Sequence, residues 1–578
     1  MKNSKILATL TAILILFTTF SCKKESPLKD GTYTGSGAGR NGEITVSVTI
    51  KNGAVSDAKI ISDPESPQIA EPAENLILSE FLQSGSTADI DTVSGATLTS
   101  DGLLDALDEA LSAARGKAKV QTIYEDTSCD IVIIGAGGAG LVAATQAANK
   151  GAKVIVLEKM GIVGGNSNYS TGGINASYTK EQEKLNIKDS PQVFYDDTMK
   201  GGHYLNDPEL VRTLVNNSAS MVEWLQSDLV GADLSDVGIF GGATNRRIHR
   251  PQGGKAIGAH LVPLLYKAAL AQGAEIRTNN KVIDIIADEK DSNKALGVRV
   301  SSKGSEYTIL AKAVIIASGG FGANPTMIAK YNPALKDFST TNHTGATGDI
   351  FPMVEKFNAA LTQMEQIQTH PTVVAKTGIM ITESVRGNGA ILVSHEGRRF
   401  INEMATRDIV SEAILSGTGK TAYLIFDQGV RNSLKAIESY AQQGLLKEGA
   451  TVAELAEKLS IPATELEKTI TEYNSYVESG SDKKFNRPKA SMERTLSTAP
   501  FYAVECEPAI HHTMGGLKIN TKGQVLDKNG NAITALYAAG EVTGGIHGAN
   551  RLGGNAVADF CVFGKIVADS ALEYIANN

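Results

Sequence analysis

The chain has 578 residues, which allows two to four domains with no limit on core size. With 63 acidic against 55 basic residues its net charge is −8, which argues against a nucleic-acid partner. Its 4 cysteines are too widely spaced for a disulfide framework, a C-x-x-C-H attachment or a metal cluster, so no metal is expected.

In chain order, Lys2 and Lys5 precede an apolar run, Ile6–Phe20, that ends in Ser21-Cys22-Lys23-Lys24. A charged start and a run too short for a comfortable membrane span read as a signal peptide over residues 1–21. A cysteine after a small residue resembles a bacterial lipobox, although Thr19 stands where leucine is usual. The expectation is a lipid on Cys22 and an anchor on the extracytoplasmic face of the cell membrane. Plain secretion or a retained anchor are the alternatives.

A polar tether leads into the glycine-rich Gly31–Gly42. Ile44, Val46, Val48 and Ile50 then alternate with polar residues as a half-buried strand. Asn52-Gly53 signals a type I′ hairpin, followed by a second strand over Val55–Ile61. Next comes Asp91-Thr92-Val93-Ser94-Gly95-Ala96-Thr97, with a helix expected over Gly102–Ala114. The stretch resembles the D-x-x-[ST]-G-A-T signature of FMN-binding domains, in which a flavin transferase esterifies FMN onto the last threonine, here Thr97. A helix N-terminus beside a phosphodiester is electrostatically favourable. Without that signature, the stretch is a capped helix start in which Ser94 or Thr97 satisfies a backbone donor. Residues 22–118 form a small α+β module with its tether, and 119–128 a linker.

Cys129–Ile134 reads as a strand, followed by Gly135-Ala136-Gly137-Gly138-Ala139-Gly140, a small-residue helix to Lys150, a strand over Lys153–Leu157, and Glu158. This is the dinucleotide fingerprint in its proper context: the glycines admit a pyrophosphate and Glu158 is placed for a ribose hydroxyl. A later strand, Ala313–Ala317, runs into Ser318-Gly319-Gly320, and another, Ala535–Ala539, into Gly540-Glu541. Between them Gln366–Pro500 reads as a more helical insertion with helices over Thr451–Leu459 and Ile461–Val477. The fold class expected is α/β: a Rossmann-like dinucleotide-binding domain (129–364 and 505–578), which the motifs below make a FAD-binding domain, interrupted by an α+β domain (365–504), the clamp, or capping, domain that the resemblance below implies, and preceded by the small α+β module.

Five motifs decide for FAD over NAD. They are Thr369-His370-Pro371-Thr372, Ile381-Thr382-Glu383-Ser384-Val385-Arg386-Gly387, Arg399–Glu403 with Thr406-Arg407-Asp408, His511–Gly516, and Gly548–Asn555. Together they resemble the flavoprotein subunits of fumarate reductases and succinate dehydrogenases. Soluble flavocytochrome c fumarate reductases, and relatives that reduce urocanate, acrylate, methacrylate and cinnamate, are the nearest in pattern. Reducing an activated C=C bond takes hydride at one carbon and a proton at the other, with the conjugated carboxylate held and its developing charge stabilised. The resemblance implies that His511 and Arg551 clamp one carboxylate while His370 and Thr382 bind the other, with Glu383 and Gly173 lining the substrate site. It implies hydride from flavin N5 and a proton from Arg407, reloaded through Glu383 and Arg386. Taken singly, Arg386 and Arg407 are surface cations, His370 a core histidine and Glu383 part of a solvated face; five motifs in order favour the site.

The same resemblance implies FAD contacts at Gly135, Gly137, Gly138, Gly140, Glu158, Lys159, Gly165, Asn166, Thr171, Gly172, Gly173, Asp349, His512, Glu541, Gly554 and Ala556. Asn166–Ser170 holds no histidine, so FAD should be non-covalent. The tetrahaem domain of flavocytochrome c is absent and the Thr97 module stands in its place, so electrons would enter through covalent FMN from an external donor, a membrane quinol-linked protein or reduced flavin. Fumarate is the expected substrate because His370 and Glu383 are of the fumarate type, whereas urocanate reductases tend to carry Tyr and Asp there. Rival readings are a surface flavin electron carrier and an oxidase or dehydrogenase. Protein made with a flavin transferase should keep FMN after denaturation and Thr97→Val should lose it, with FAD released from both; flavin fluorescence on a denaturing gel checks this.

Overall fold

The computed structural model describes residues 26–65, 67–93, 96–117 and 123–578. The expected lipidation site Cys22 and leader 1–21 lie outside them, as do Ser94 and Gly95. Among the described residues no helix is long and apolar enough to cross a membrane.

The N-terminal module is an antiparallel meander of Gly31–Ala38, Glu43–Lys51 and Ala54–Ser62, covered by helices Pro67–Ser84 and Thr97–Ala114. Ile44, Val46, Val48 and Ile50 point into a core shared with Phe81, Leu103 and Leu107. The hairpin turn has φ 53° at Asn52 and 72° at Gly53, the two left-handed residues a type I′ turn requires. The glycine-rich stretch, whose composition suggested no element, is strand as far as Ala38. Its glycines let the second helix lie directly on the strand backbone: a Cβ on Gly35 would stand 2.1 Å from the Ala106 carbonyl oxygen, and one on Gly37 2.0 Å from that of Gly102. That helix begins at Thr97 rather than at the expected Gly102.

The larger lobe, expected to bind FAD, is built on an eight-stranded sheet whose parallel centre is Glu275–Arg277, Val154–Leu157, Thr127–Ile134, Ser305–Ile316 and Ala532–Ala538. The central residues Ile131–Ile134, Val154–Leu157 and Ala313–Ile316 read as continuous apolar runs because they are buried, in one core with helices Gly138–Asn149, Ile257–Ala271 and Asn555–Asn577. Ser305–Ile316 is far longer than the expected Ala313–Ala317. Its first half pairs with Ala295–Ser302 and its last residues with Ala532–Ala538, so the C-terminal segment returns to the first sheet.

The insertion is α+β as expected, though less helical than its sequence pattern suggests. Its centre is a five-stranded antiparallel sheet in the order Ile367–Val374, Phe501–Thr513, Ala422–Asp427, Ile391–Val393, with Lys447–Gly449 also on Phe501–Thr513. The expected helices are present as Val452–Leu459 and Ala463–Ser479, outside this sheet. Three-residue strands such as Ile391–Val393 carry no period, and their partners are remote in sequence, so only packing selects them. Gly37→Val is expected to destabilise the module by about 1–3 kcal/mol, the usual cost of overpacking; a thermal melt should show an early transition absent from the wild type.

Candidate active site

The flavin side is assembled at the C-terminal ends of the parallel strands, where ligands bind in such sheets. Thr127–Ile134 turns at Gly135 with φ 102°, and a Cβ there would lie 2.5 Å from the Ala317 carbonyl oxygen. Helix Gly138–Asn149 starts from Gly137 with no side-chain cap, so its first N–H groups face the cavity, one of them, Gly138, donating to Ser167 Oγ at 3.0 Å. Gly140 stands behind the turn: a Cβ would sit 1.9 Å from the Gly135 carbonyl oxygen, so only glycine lets helix and turn close together. The buried Glu158 accepts from the Ala136 and Met160 amides at 3.0 and 2.9 Å. Burial pushes its carboxyl up although both amides oppose this. Lys159 donates to Thr347 and Asp349 at 2.5 and 3.0 Å. Burial would raise the Asp349 carboxyl, but Lys159 and Lys281 bring it down to about 2. Asn166 ties three segments together, donating to Asn342 and Glu541 at 2.7 and 3.1 Å and accepting from the His343 amide at 2.7 Å.

The polar end belongs to the clamp and the last loop. Thr382 caps the short helix Glu383–Gly387, which puts Glu383 and Arg386 on one face at i, i+3. Arg407 is the first residue of helix Arg407–Leu415 and reaches Glu383 Oε2 with Nε at 3.1 Å and Nη2 at 3.0 Å. The Gly241 amide donates to Glu383 Oε1 at 3.2 Å, and Arg386 Nη2 lies 4.0 Å from Oε2. Burial would raise the Glu383 carboxyl, but Arg407 and then Arg386 hold it below its usual value. The two cations keep this buried acid ionised.

One residue that holds the site together was missed in the sequence. Gln368 Oε1 accepts from Arg407 Nη1 at 3.1 Å and Arg551 Nη2 at 3.0 Å, while its amide donates to Asn550 and to the Arg551 carbonyl at 2.6 and 2.8 Å. Its place two residues before His370 on the same strand was the available signal. Behind the site, Arg386 donates to the Glu403 carbonyl at 2.7 Å, and Arg487, also missed, donates to the Arg386 carbonyl at 2.5 Å.

His370 is fully buried. Its Nδ1 accepts from the Thr372 amide at 3.3 Å, so the proton sits on Nε2, which has no partner among the described residues. The His511 ring meets it edge-on at 5.2 Å between centroids and bonds Thr341 through Nδ1 at 2.7 Å. Burial, then Arg407, holds both imidazoles well below their usual value, so both are neutral. His512 Nδ1 lies 3.7 Å from Glu541 and its Nε2 is also unpartnered. Burial and the Arg407 charge push the Arg551 guanidinium down to about 9, and its Nε has no acceptor among the described residues. Arg407, Arg551 and Arg386 have one carboxylate, Glu383, within ion-pair distance among the described residues, so the site carries excess positive charge and free donors: it is built for an anion.

A cavity of about 500 Å³ joins these parts and reaches Thr97 in the N-terminal module. Every anticipated flavin and substrate residue borders it except Gly140 and Arg386, which stand behind its wall. The Thr97 side chain is exposed and, among the described residues, no side chain caps its helix, so its hydroxyl is not spent on a cap.

The FAD binding domain family matches residues 130–557. The chain belongs to the FAD-binding flavoprotein family of fumarate reductases and succinate dehydrogenases. This flavoprotein also carries an FMN-binding domain, matched over residues 39–112. It is 46% identical over 449 residues to a fumarate reductase (cytochrome) of Shewanella frigidimarina, covering 78% of each chain. It is 34% identical over 559 residues to a urocanate reductase of Eggerthella lenta, covering 93% of this chain and 92% of that one. The solved open conformation of a flavocytochrome c3 fumarate reductase superposes with a TM-score of 0.66 at 39% identity, covering 85% of each chain. This flavoprotein is therefore an oxidoreductase acting on C=C bonds. Because its cations await an anion, a small dicarboxylate such as succinate should raise Tm, by linkage worth about 2.7 kcal/mol at a hundred times Kd. Arg551→Met should abolish that rise, measured by differential scanning fluorimetry.

Proposed function

We propose that this protein reduces an α,β-unsaturated carboxylate, fumarate first, as a lipid-anchored enzyme on the extracytoplasmic face of the cell membrane. The observation that carries the chemistry is the buried Arg407–Glu383 pair with Arg386 behind it, opening on the cavity that runs to the glycine turn. The residues fit FAD: an uncapped helix N-terminus and glycines at 135, 172 and 173, whose Cβ atoms would meet neighbours, form the cradle. When bound, FAD supplies the hydride and FMN on Thr97 an entry point for electrons.

The chain's own residues do the rest. Arg551 and His511 hold one substrate carboxylate, and the unpartnered His370 Nε2–H and Thr382 hold the other. This fixes the double bond and takes up the charge that develops on the adjacent carboxylate. Arg407 donates the proton from a guanidinium that Glu383 grips through two nitrogens, which sets its direction. Glu383 then returns a proton drawn through Arg386, and the buried walls exclude competing water. A bare electron carrier has no use for such a path.

The electrons come from an external donor, a membrane quinol-linked protein or reduced flavin, and a flavin transferase loads Thr97. Residues 129–364 and 505–578 serve as the FAD lobe and 365–504 as the clamp. The Eggerthella lenta relative, aligned across 93% of this chain, favours urocanate as the second reading; His370 and Glu383 favour fumarate. An anaerobic panel of unsaturated acids with reduced viologen should give fumarate the highest kcat/KM, and a tenfold advantage for urocanate would assign the substrate otherwise. Arg407→Ala should keep FAD yet slow single-turnover reoxidation by fumarate at least ~10²–10⁴-fold, the range of general-acid contributions. Equal rates would make Arg407 structural.

A further inference from the structure

The FMN-binding module does not hang free of the rest of the chain. On one side it meets the FAD lobe. Tyr169 donates its hydroxyl to the Arg40 carbonyl at 3.0 Å while the Arg40 guanidinium lies over the same ring, 4.5 Å from its centroid. Thr344 donates to the Asn41 carbonyl at 2.6 Å, and Gly161 is so close that a Cβ would stand 2.6 Å from that of Ala38. On the other side it meets the clamp: Ala73 and Ala96 are buried against Ile379, with Val374 and Leu445 packed around them. Ala96 is the residue before Thr97.

Ile379 lies in the connection from strand Ile367–Val374, which carries His370, to Thr382. That connection is closed on itself, the Val374 amide donating to Ile379 at 2.8 Å and the Ile381 amide to Thr372 at 2.9 Å. It therefore moves as one piece with the substrate-binding side chains at its two ends.

We propose that residues 39–112 are a strap docked across both lobes, seated by Arg40 on Tyr169 and by Ala96 on Ile379, so that closing the clamp on substrate also seats the Thr97-borne FMN in the cavity shared with FAD. The occupant of this docking surface is the chain's own module. Arg40 and Ile379 act as positioning residues. The inference rests on the reading that Thr97 carries FMN.

The test uses full-length protein made with a flavin transferase, in wild type, Arg40→Glu, Ile379→Glu and the milder Ile379→Ala. Two readouts follow seating: iodide quenching of the covalent FMN fluorescence, and release of the module by limited proteolysis, which needs no flavin. FMN on a denaturing gel and FAD content report attachment and folding. The expected result is FMN shielded in wild type, more so with succinate, a quenching constant several-fold higher in each variant, faster module release, and no succinate effect in either Ile379 variant. Quenching and release unchanged in all variants would overturn the docking proposal, as would wild-type FMN as open to iodide as free FMN. Wild type without FMN on the gel would sink the attachment reading instead, and proteolysis would still decide the docking.

Discussion

A carboxylate that gives up its water must gain donors of comparable strength, and Glu383 gains two from Arg407 and one from the Gly241 amide. That exchange orders the rest of the site. It fixes the Arg407 fork, leaves Nη1 free to turn toward Gln368, and through Gln368 sets the position of Arg551. The pair also leaves a remainder, because among the described residues Arg551 and Arg386 find no carboxylate of their own at bonding distance. A buried excess of positive charge is costly in the free protein and favourable once an anion enters. Binding and catalysis therefore draw on the same stored electrostatics.

The layer behind the site obeys the same rule in the opposite sense. Arg399 grips Glu403 with two nitrogens at 2.8 and 2.7 Å and reaches Asp482 at 3.0 Å, while Arg487 meets Glu403 at 3.2 Å. Here the charges balance, and Arg487 spends its remaining donors on Ser491 Oγ and on backbone carbonyls, including that of Arg386. A charge-balanced network held by this many bonds is rigid. It gives the unbalanced site in front of it a fixed wall to work against.

Strand connectivity decides where the two halves meet. Phe501–Thr513 starts in the clamp sheet and ends beside the FAD lobe, so His511 and His512 sit where substrate and flavin residues converge. Ser305–Ile316 likewise joins the first and last segments of the FAD lobe into one sheet. The N-terminal module closes the remaining side through Arg40 and Ala96. Three segments distant in sequence thus bound one cavity.

How much of this was legible depended on how local each signal is. The glycine fingerprint with Glu158, the Asn52-Gly53 turn and the alternating strand from Ile44 follow from backbone sterics and two-residue periodicity, and the structure has them where expected. That Glu383 and Arg386 act together was implied by the family resemblance, and the short helix Glu383–Gly387 sets both on one face. The clamp sheet was not legible, because strands such as Ile391–Val393 exist only through partners far along the chain. The glycine-rich Gly31–Ala38 concealed a strand, since glycine carries no strand propensity and is there to admit a helix. Gln368 and Arg487 escaped notice because an amide or a guanidinium takes its meaning from what the fold sets beside it. Sequence alone determined the cofactor cradles and the chemical types at the site, because those rest on residues adjacent in the chain. Only tertiary structure decided that Gln368 bridges two guanidiniums and that Thr97 opens on the same cavity, because long-range packing brings those segments together.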